Sequence, residues 1–343
     1  MNFKIRYKTI SSMLELCKKL KWGNVEKKKI EDLVEHEDYK FEFERYKGKI
    51  SKEEFTEYFM NLPNIKEEEI TNKGLRIHHK FYKDLLDNLD FYMEKVSELD
   101  KFTEELFEQQ ISIALKGLPE DISLPELNFI FTVGIGQSFG YVYKNGMHFD
   151  FLQLVKEKSI DDFCATIAHE VHHVILNTIY EELDLNNMPI EDLFYLSFSG
   201  EGLAVKYCNN AEGVLSKSIH AGPKNIGLDK FTWEYLNKDF YNTMKQFKAS
   251  INYIRAGHIN TMEELFNYME DYWMNPYVEG QDKNNDIPKL KHFRVYSFGN
   301  EIWGIIHDCF GKEMVYKTIR NPQSFREIFN KALEKLSHEE FKI

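Results

Sequence analysis

His169, Glu170 and His173, in the run His169-Glu170-Val171-His172-His173, are the residues of this chain whose types and spacing could do chemistry. On an α-helix, positions four apart project from one face about 40° apart and roughly 6 Å along the axis, so two imidazoles can reach one metal ion. Glu170 is offset by about 100°, beside the ion rather than on it, where a carboxylate can take a proton from a water that the metal acidifies. The pattern is that of a zinc hydrolase still lacking its third ligand. With 12 His in 343 residues, and every acid counted as Glu, random order would produce the motif roughly 0.07 times per chain, so chance is an uncommon explanation.

For this chemistry the run must be helical, and its setting predicts that it is. Ser159 with Asp162 can cap a helix to which Ile160, Phe163, Ile167, Val171 and Val174 give a buried stripe. Ahead of it, Leu127, Phe129, Phe131 and Val133 alternate with Asn128, Ile130 and Thr132 at strand spacing. After Gly134 and Gly136, a run from Phe139 to Lys144 meets Asn145-Gly146 and continues as Met147 to Phe151, which predicts a hairpin turning at Asn-Gly.

The chain before the hairpin, from Met1 to about Glu120, reads as mostly helical. Gly23 stops a first helix, and Ser51 with Glu54 forms a capping box. Leu75, Tyr82, Leu85, Leu89, Met93 and Val96 recur at helical spacing in one long segment that also carries His78 and His79. A further helix from about Lys101 ends at Gly117, with Pro119 just beyond. Downstream of the histidines, Pro189 to Asn209 predicts two short helices split around Ser199-Gly200, and a long helix is expected from Leu228 to Ala256. Another starts at Thr261, capped by Glu264, and the chain from Tyr296 to Leu336 is helical with breaks at Gly311 and Pro322. The irregular stretch Asn275 to Lys291 is expected to form a cleft rim or lid.

Composition narrows the classes. A hydrophobic share of 43%, a charged share of 29% and a net charge of -12 describe a soluble globular protein and argue against a nucleic-acid or anionic-membrane surface, which needs clustered Lys and Arg. Lys27-Lys28-Lys29 is accordingly a solvated helix face. Met1 to Lys21 is interrupted by Arg6, Lys8, Glu15 and Lys18, so no signal peptide is expected there, and no later run has the apolar length of a membrane helix. Cys17, Cys164, Cys208 and Cys309 are dispersed without a Cys-x-x-Cys pair, which points to reduced thiols and a cytoplasmic protein.

The third ligand must come from outside the histidine helix. Ile179 occupies the place where the metzincin pattern needs a histidine, and Glu181 and Glu182 lie too far along the same helix. Glu191, Asp192 and Glu201 remain. Glu201 is preferred on motif context, because Ser199-Gly200-Glu201-Gly202-Leu203-Ala204 has the small neighbours that would let a second helix approach the first closely. Asp192 has a shorter side chain among bulky Leu193-Phe194-Tyr195.

His169-Glu170-Val171-His172-His173 followed by Glu201-Gly202-Leu203-Ala204 resembles the gluzincins, the thermolysin-like metallopeptidases whose third ligand is a glutamate on a following helix. More narrowly, Tyr296-Ser297-Phe298-Gly299, Phe310-Gly311-Lys312-Glu313 and Asn321-Pro322 with Phe325 resemble uncharacterised bacterial zinc-dependent peptidases that share the Glu-Gly-Leu-Ala element. The resemblance covers roughly Leu127 to Asn330. It implies a zincin-like domain over 121–343, with the sheet and active-site helix in 121–185 and a helical lobe in 186–343; with the helical region already read over 1–120, the expected fold is α+β and predominantly helical. It also implies one Zn2+ per chain on His169, His173 and Glu201, with Glu170 as general base and peptides or proteins as substrates. One of the runs around Phe129 to Tyr143 would be the edge strand that pairs with an extended peptide.

Tyr296 is the first candidate for the oxyanion stabiliser and His220 the second. His172 is expected to be exposed or to sit behind the ligands. His78, His79 and His148 are expected in structural or surface roles, and Cys164 and Cys208 as small packing residues. The rival to a peptidase is a zincin-shaped metal-binding or regulatory protein without general peptidase activity.

Overall fold

A computed structural model describes residues 2–136, 139–157, 159–209, 211–220, 228–274 and 292–343. The fold is α+β and predominantly helical, with one small mixed sheet. Strand β1 (Phe3–Arg6) is followed by α1 (Lys8–Lys21), α2 (Lys27–Val34), α3 (Glu37–Arg45), α4 (Lys52–Asn61), α5 (Lys73–Asp87), α6 (Leu89–Lys95) and α7 (Glu104–Lys116). Then come β2 (Leu127–Thr132), β3 (Gly140–Tyr143), β4 (Gly146–Asp150), α8 (Phe151–Glu157) and α9 (Ile160–Tyr180). The remainder is helical: α10 (Ile190–Leu196), α11 (Ser199–Cys208), α12 (Lys230–Lys238), α13 (Phe240–Arg255), α14 (Met262–Tyr272), α15 (Arg294–Phe310), α16 (Lys312–Arg320) and α17 (Phe325–Lys335). No helix among the described residues is long and apolar enough to cross a membrane. The expected rim or lid, Asn275 to Lys291, lies outside the described residues.

The chain divides into two compact units, residues 1–109 with 125–170, and residues 110–124 with 171–343. The division falls inside α9, directly after Glu170.

In the first unit the sheet has the order β1-β2-β4-β3, with β1 and β4 parallel to β2 and β3 antiparallel to β4. Phe107, Phe129, Phe131, Phe149 and Phe163 are buried, with ring centroids 4.4 Å apart for Phe107–Phe129 and 5.3 Å for Phe149–Phe163. These rings seat α9 against the strands, each pair adding about 0.5–1.5 kcal/mol beyond its buried area. Strand β3 is an edge. A Cβ on Gly140, at its start, would lie 3.2 Å from Thr166 Cγ2, one turn of α9 ahead of Glu170, so this edge runs over the histidine helix.

Several expectations shift here. The amino-terminal stretch adds a strand, β1, to the helical region. The hairpin turns at Lys144-Asn145 rather than Asn145-Gly146, with Lys144 at φ 55°. Gly146 instead pairs within β4, where a Cβ would meet His148 Nε2 at 3.0 Å and Ile130 Cδ1 at 3.2 Å. The long segment from Leu75 to Val96 breaks at Asn88, whose amide group turns back to Asp84. Ile160 opens α9 exposed, while Phe163, Ile167, Val171 and Val174 are buried as the periodicity requires.

In the second unit, Phe194, Phe198, Phe247, Trp273 and Phe298 form a buried aromatic core. The helix expected from Leu228 to Ala256 resets at Asp239 into α12 and α13, because Asp239 leaves the helical conformation (φ -88°, ψ 8°).

Candidate metal centre

Helix α9 starts where its sequence says it should. Ser159 Oγ accepts from Asp162 N at 3.1 Å, and the Asp162 carboxylate accepts in return from Ser159 N at 3.3 Å. The helix runs unbroken through His169, Glu170 and His173, so the two imidazoles share one face by construction.

Glu201 enters from α11. Its Oε2 lies 3.3 Å from His173 Nε2. One ligand atom each from His169, His173 and Glu201 can be chosen so that all lie within 4.8 Å of one another. A tetrahedral zinc with bonds near 2.1 Å separates neighbouring ligand atoms by about 3.4 Å, so the His173–Glu201 spacing fits such an ion and the two-histidine, one-carboxylate donor set suits it. His169 is 8% exposed, whereas the side chains of His173 and Glu201 are 17% and 28% exposed, leaving one side open to solvent.

Four contacts surround the start of α11. Tyr180, at the end of α9, meets Ser199 at 2.5 Å between hydroxyls, and Ser199 donates to Leu196 O at 2.7 Å. Burial pushes the Tyr180 hydroxyl up from its usual range, with Ser199 opposing and Glu201 adding to the shift. Gly200 faces His173, where a Cβ would sit 3.8 Å from the ring. Gly202 faces α15: a Cβ there would come within 2.2 Å of the Gly299 carbonyl carbon. Of the small neighbours of Glu201, Gly202 is the one whose lack of a side chain is needed, for α15, while Gly200 faces α9 with room for a Cβ.

The other sequence candidates separate. Glu191 is paired with Arg255 through two bonds of 2.5 and 2.7 Å. Asp192 is buried, and that burial, with Glu191 beside it, pushes its carboxyl up. Neither joins the ligand group. Tyr296 is half-buried on α15 and packs against Val205, Ala211 and Trp233. It lies one turn before Gly299, the residue that meets Gly202.

Of the two expectations for His172, exposure or a place behind the two histidines, the structure shows no exposure. His172 is fully buried, 3.3 Å from the Tyr316 hydroxyl and stacked on Tyr207, because this face of α9 is covered by α11 and α16. His78 and His148 are buried in the first unit, and His79 bonds Tyr58. Cys208 is buried and Cys164 half-buried.

The structure groups His220 with His307 and Asp308, ring centroids 4.4 Å apart for the two histidines. A cation already stands there: Lys206 Nζ lies 3.1 Å from Asp308 Oδ1 on a side chain with no exposure. Asp308 also accepts from Lys217 N at 2.8 Å and Ser218 N at 3.2 Å, and Glu301 from the backbone N–H groups of Val214, Leu215 and Ser216. This network ties residues 213–218 to α15. Sequence reasoning missed it, and missed Gly299 as a helix contact; a glycine inside a helix without turn residues around it was the available signal.

No curated protein and no solved structure matches the chain. A family model does match, over residues 30–338, reaching back into the helical region that the sequence resemblance left out. That match covers most of its length, and the chain belongs to the family described as "Putative zinc dependent peptidase (DUF5700)".

Proposed function

We propose that the protein is a zinc-dependent peptidase of gluzincin type, holding one zinc on His169, His173 and Glu201. The observation that carries this reading is the approach of Glu201 to within 3.3 Å of His173 on the face that His169 shares. When bound, zinc would supply Lewis acidity, lowering the pKa of a water and polarising the scissile carbonyl. Glu170, next along the helix, takes the proton from that water as the oxygen attacks the carbonyl carbon. The same carboxyl then delivers the proton to the leaving amine nitrogen as the C–N bond breaks.

Tyr296 is the group we assign to the developing oxyanion, since α15 brings it to within one turn of the Gly202–Gly299 crossing beside Glu201. His220, engaged with Ser218 and His307, is the weaker claimant. The substrate is an extended peptide whose backbone adds to the outer edge of β3, which no strand among the described residues pairs.

The test is digestion of a peptide library with and without chelator, alongside Glu170→Gln. Chelator-sensitive cleavage that disappears in the variant supports the reading. Undiminished cleavage by Glu170→Gln would remove the general base, and a wild type that cleaves nothing while holding zinc would favour a metal-binding regulatory protein.

A further inference from the structure

The helical region ahead of the sheet has no part in the mechanism above, yet its side chains hold the backbone that leads into β3. Four backbone groups of the stretch 133–135 are met by buried side chains. Tyr39 donates to Val133 O and Tyr82 to Gly134 O, each at 3.0 Å. Gly134 N donates to Asp150 Oδ1 at 3.0 Å and Ile135 N to Glu42 Oε1 at 2.8 Å. Glu42 Oε2 also accepts from Thr132 Oγ1 at 2.9 Å. Gly136 lies flush on Tyr46, where a Cβ would come within 2.2 Å of the ring.

Helix α3 and Tyr46, the residue after it, reach the edge strand and its turn. Arg45 stacks over Tyr141 at 5.1 Å, Tyr46 meets Tyr141 edge-on at 6.2 Å, and Glu44 pairs with Lys144 at 2.8 Å. Glu42 is therefore one residue in a run of α3 that touches both the approach to β3 and the strand itself. Its carboxyl is buried, which pushes it up to about 8, so the neutral acid is the form that makes both bonds near neutral pH.

We propose that Glu42 is a positioning residue for substrate: through Thr132 and Ile135 it sets the height at which β3 offers its outer edge to a peptide. This rests on the reading of the protein as a peptidase that pairs substrate with β3. A residue of this kind governs substrate binding and leaves the chemical step alone. A glutamine has the same shape and can keep both contacts, its oxygen accepting from Ile135 N and its amide nitrogen donating to the Thr132 hydroxyl, whereas an alanine loses both.

The experiment compares wild type, Glu42→Ala, Glu42→Gln and Tyr39→Phe, all zinc-loaded, on dye-labelled casein, together with deuterium exchange over residues 132–136. Glu42→Ala is expected to raise KM roughly tenfold with kcat within about twofold of wild type, and Glu42→Gln to restore KM. Exchange over 132–136 should quicken about tenfold in the alanine variant and return in the glutamine one. Tyr39→Phe, which loses only the bond to Val133, keeps the test open if the alanine variant does not fold, with a smaller rise in KM and faster exchange. Unchanged exchange would overturn the bracing, and loosened exchange with unchanged KM would overturn its bearing on substrate. If wild type cleaves no casein the peptidase reading fails separately, and exchange alone decides whether Glu42 braces the strand.

Discussion

Replacing Gly202 by alanine probes how Glu201 is placed. The new Cβ would stand 2.2 Å from the carbonyl carbon of Gly299 and 2.6 Å from both its Cα and its oxygen, all backbone atoms that cannot rotate away. Ordinary contact begins at 3.4 Å, so α11 and α15 must part by about 1.2 Å. Overpacking of this kind costs about 1–3 kcal/mol, and a clash with backbone belongs at the upper end. Alanine's better helix propensity returns up to about 1 kcal/mol, leaving a net loss of about 2 kcal/mol.

Metal ligands tolerate about 0.2 Å of displacement. A shift of α11 beside Glu201 should therefore weaken zinc binding as well, by about 10- to 100-fold, the range for residues that orient ligands. Gly200→Ala is the control: its Cβ meets His173 at 3.8 Å, an ordinary contact, so stability should hold or rise slightly. Denaturant midpoints and zinc competition titrations on both variants decide the matter. Gly202→Ala behaving like wild type, or Gly200→Ala doing equal harm, would refute the reasoning.

Two further outcomes follow from buried charge. Burial, with Arg6 and Arg45 adding, lowers His148 to about 3, and neither ring nitrogen has a hydrogen-bond partner among the described residues. The unfolded chain takes up a proton below its ordinary value of about 6.5 while the folded chain refuses it, so this contribution is present above that value and lost as pH falls toward 3. It amounts to about 5 kcal/mol, and denaturation of His148→Phe across this window should show a flatter acid limb; equal steepness would count against it. Asp308→Asn should cost about 3–5 kcal/mol by leaving the Lys206 ammonium buried without its counter-charge, and adding Lys206→Met should recover much of that loss. A single-variant loss below about 1 kcal/mol in denaturation would show that Lys206 does not depend on Asp308.

The parts of the fold that the sequence announced are those whose cause is local. The Ser159–Asp162 cap and the stripe from Phe163 to Val174 predict α9, and the i, i+4 spacing of His169 and His173 predicts their shared face. The hairpin was also visible, although its turn moved by one residue because Gly146 is needed where the strand packs on His148 and Ile130. Strand β1 is four residues long and gains its place only by pairing with β2, more than a hundred residues later. The breaks at Asn88 and Asp239 come from single backbone resets inside otherwise periodic helices.

The candidate site divides in the same way. His169, Glu170 and His173 need one helix, but Glu201 needs α11 aligned on α9, which depends on Tyr180, Ser199, Gly202 and Gly299 acting across the fold. Its motif showed small neighbours without showing that Gly202 is the one pressed against another helix, α15. For His172, helix spacing gave the direction away from the pair but could not choose between solvent and a buried place, because that depends on α16 bringing Tyr316 there.

Elemental analysis of purified wild type, Glu170→Gln and Glu201→Ala side by side tests the central claim most directly. Wild type and Glu170→Gln should each hold one zinc per chain, and Glu201→Ala should lose it on dialysis. A wild type without zinc, or a Glu201→Ala variant that keeps zinc at full affinity, would contradict the ligand set and the peptidase mechanism built on it.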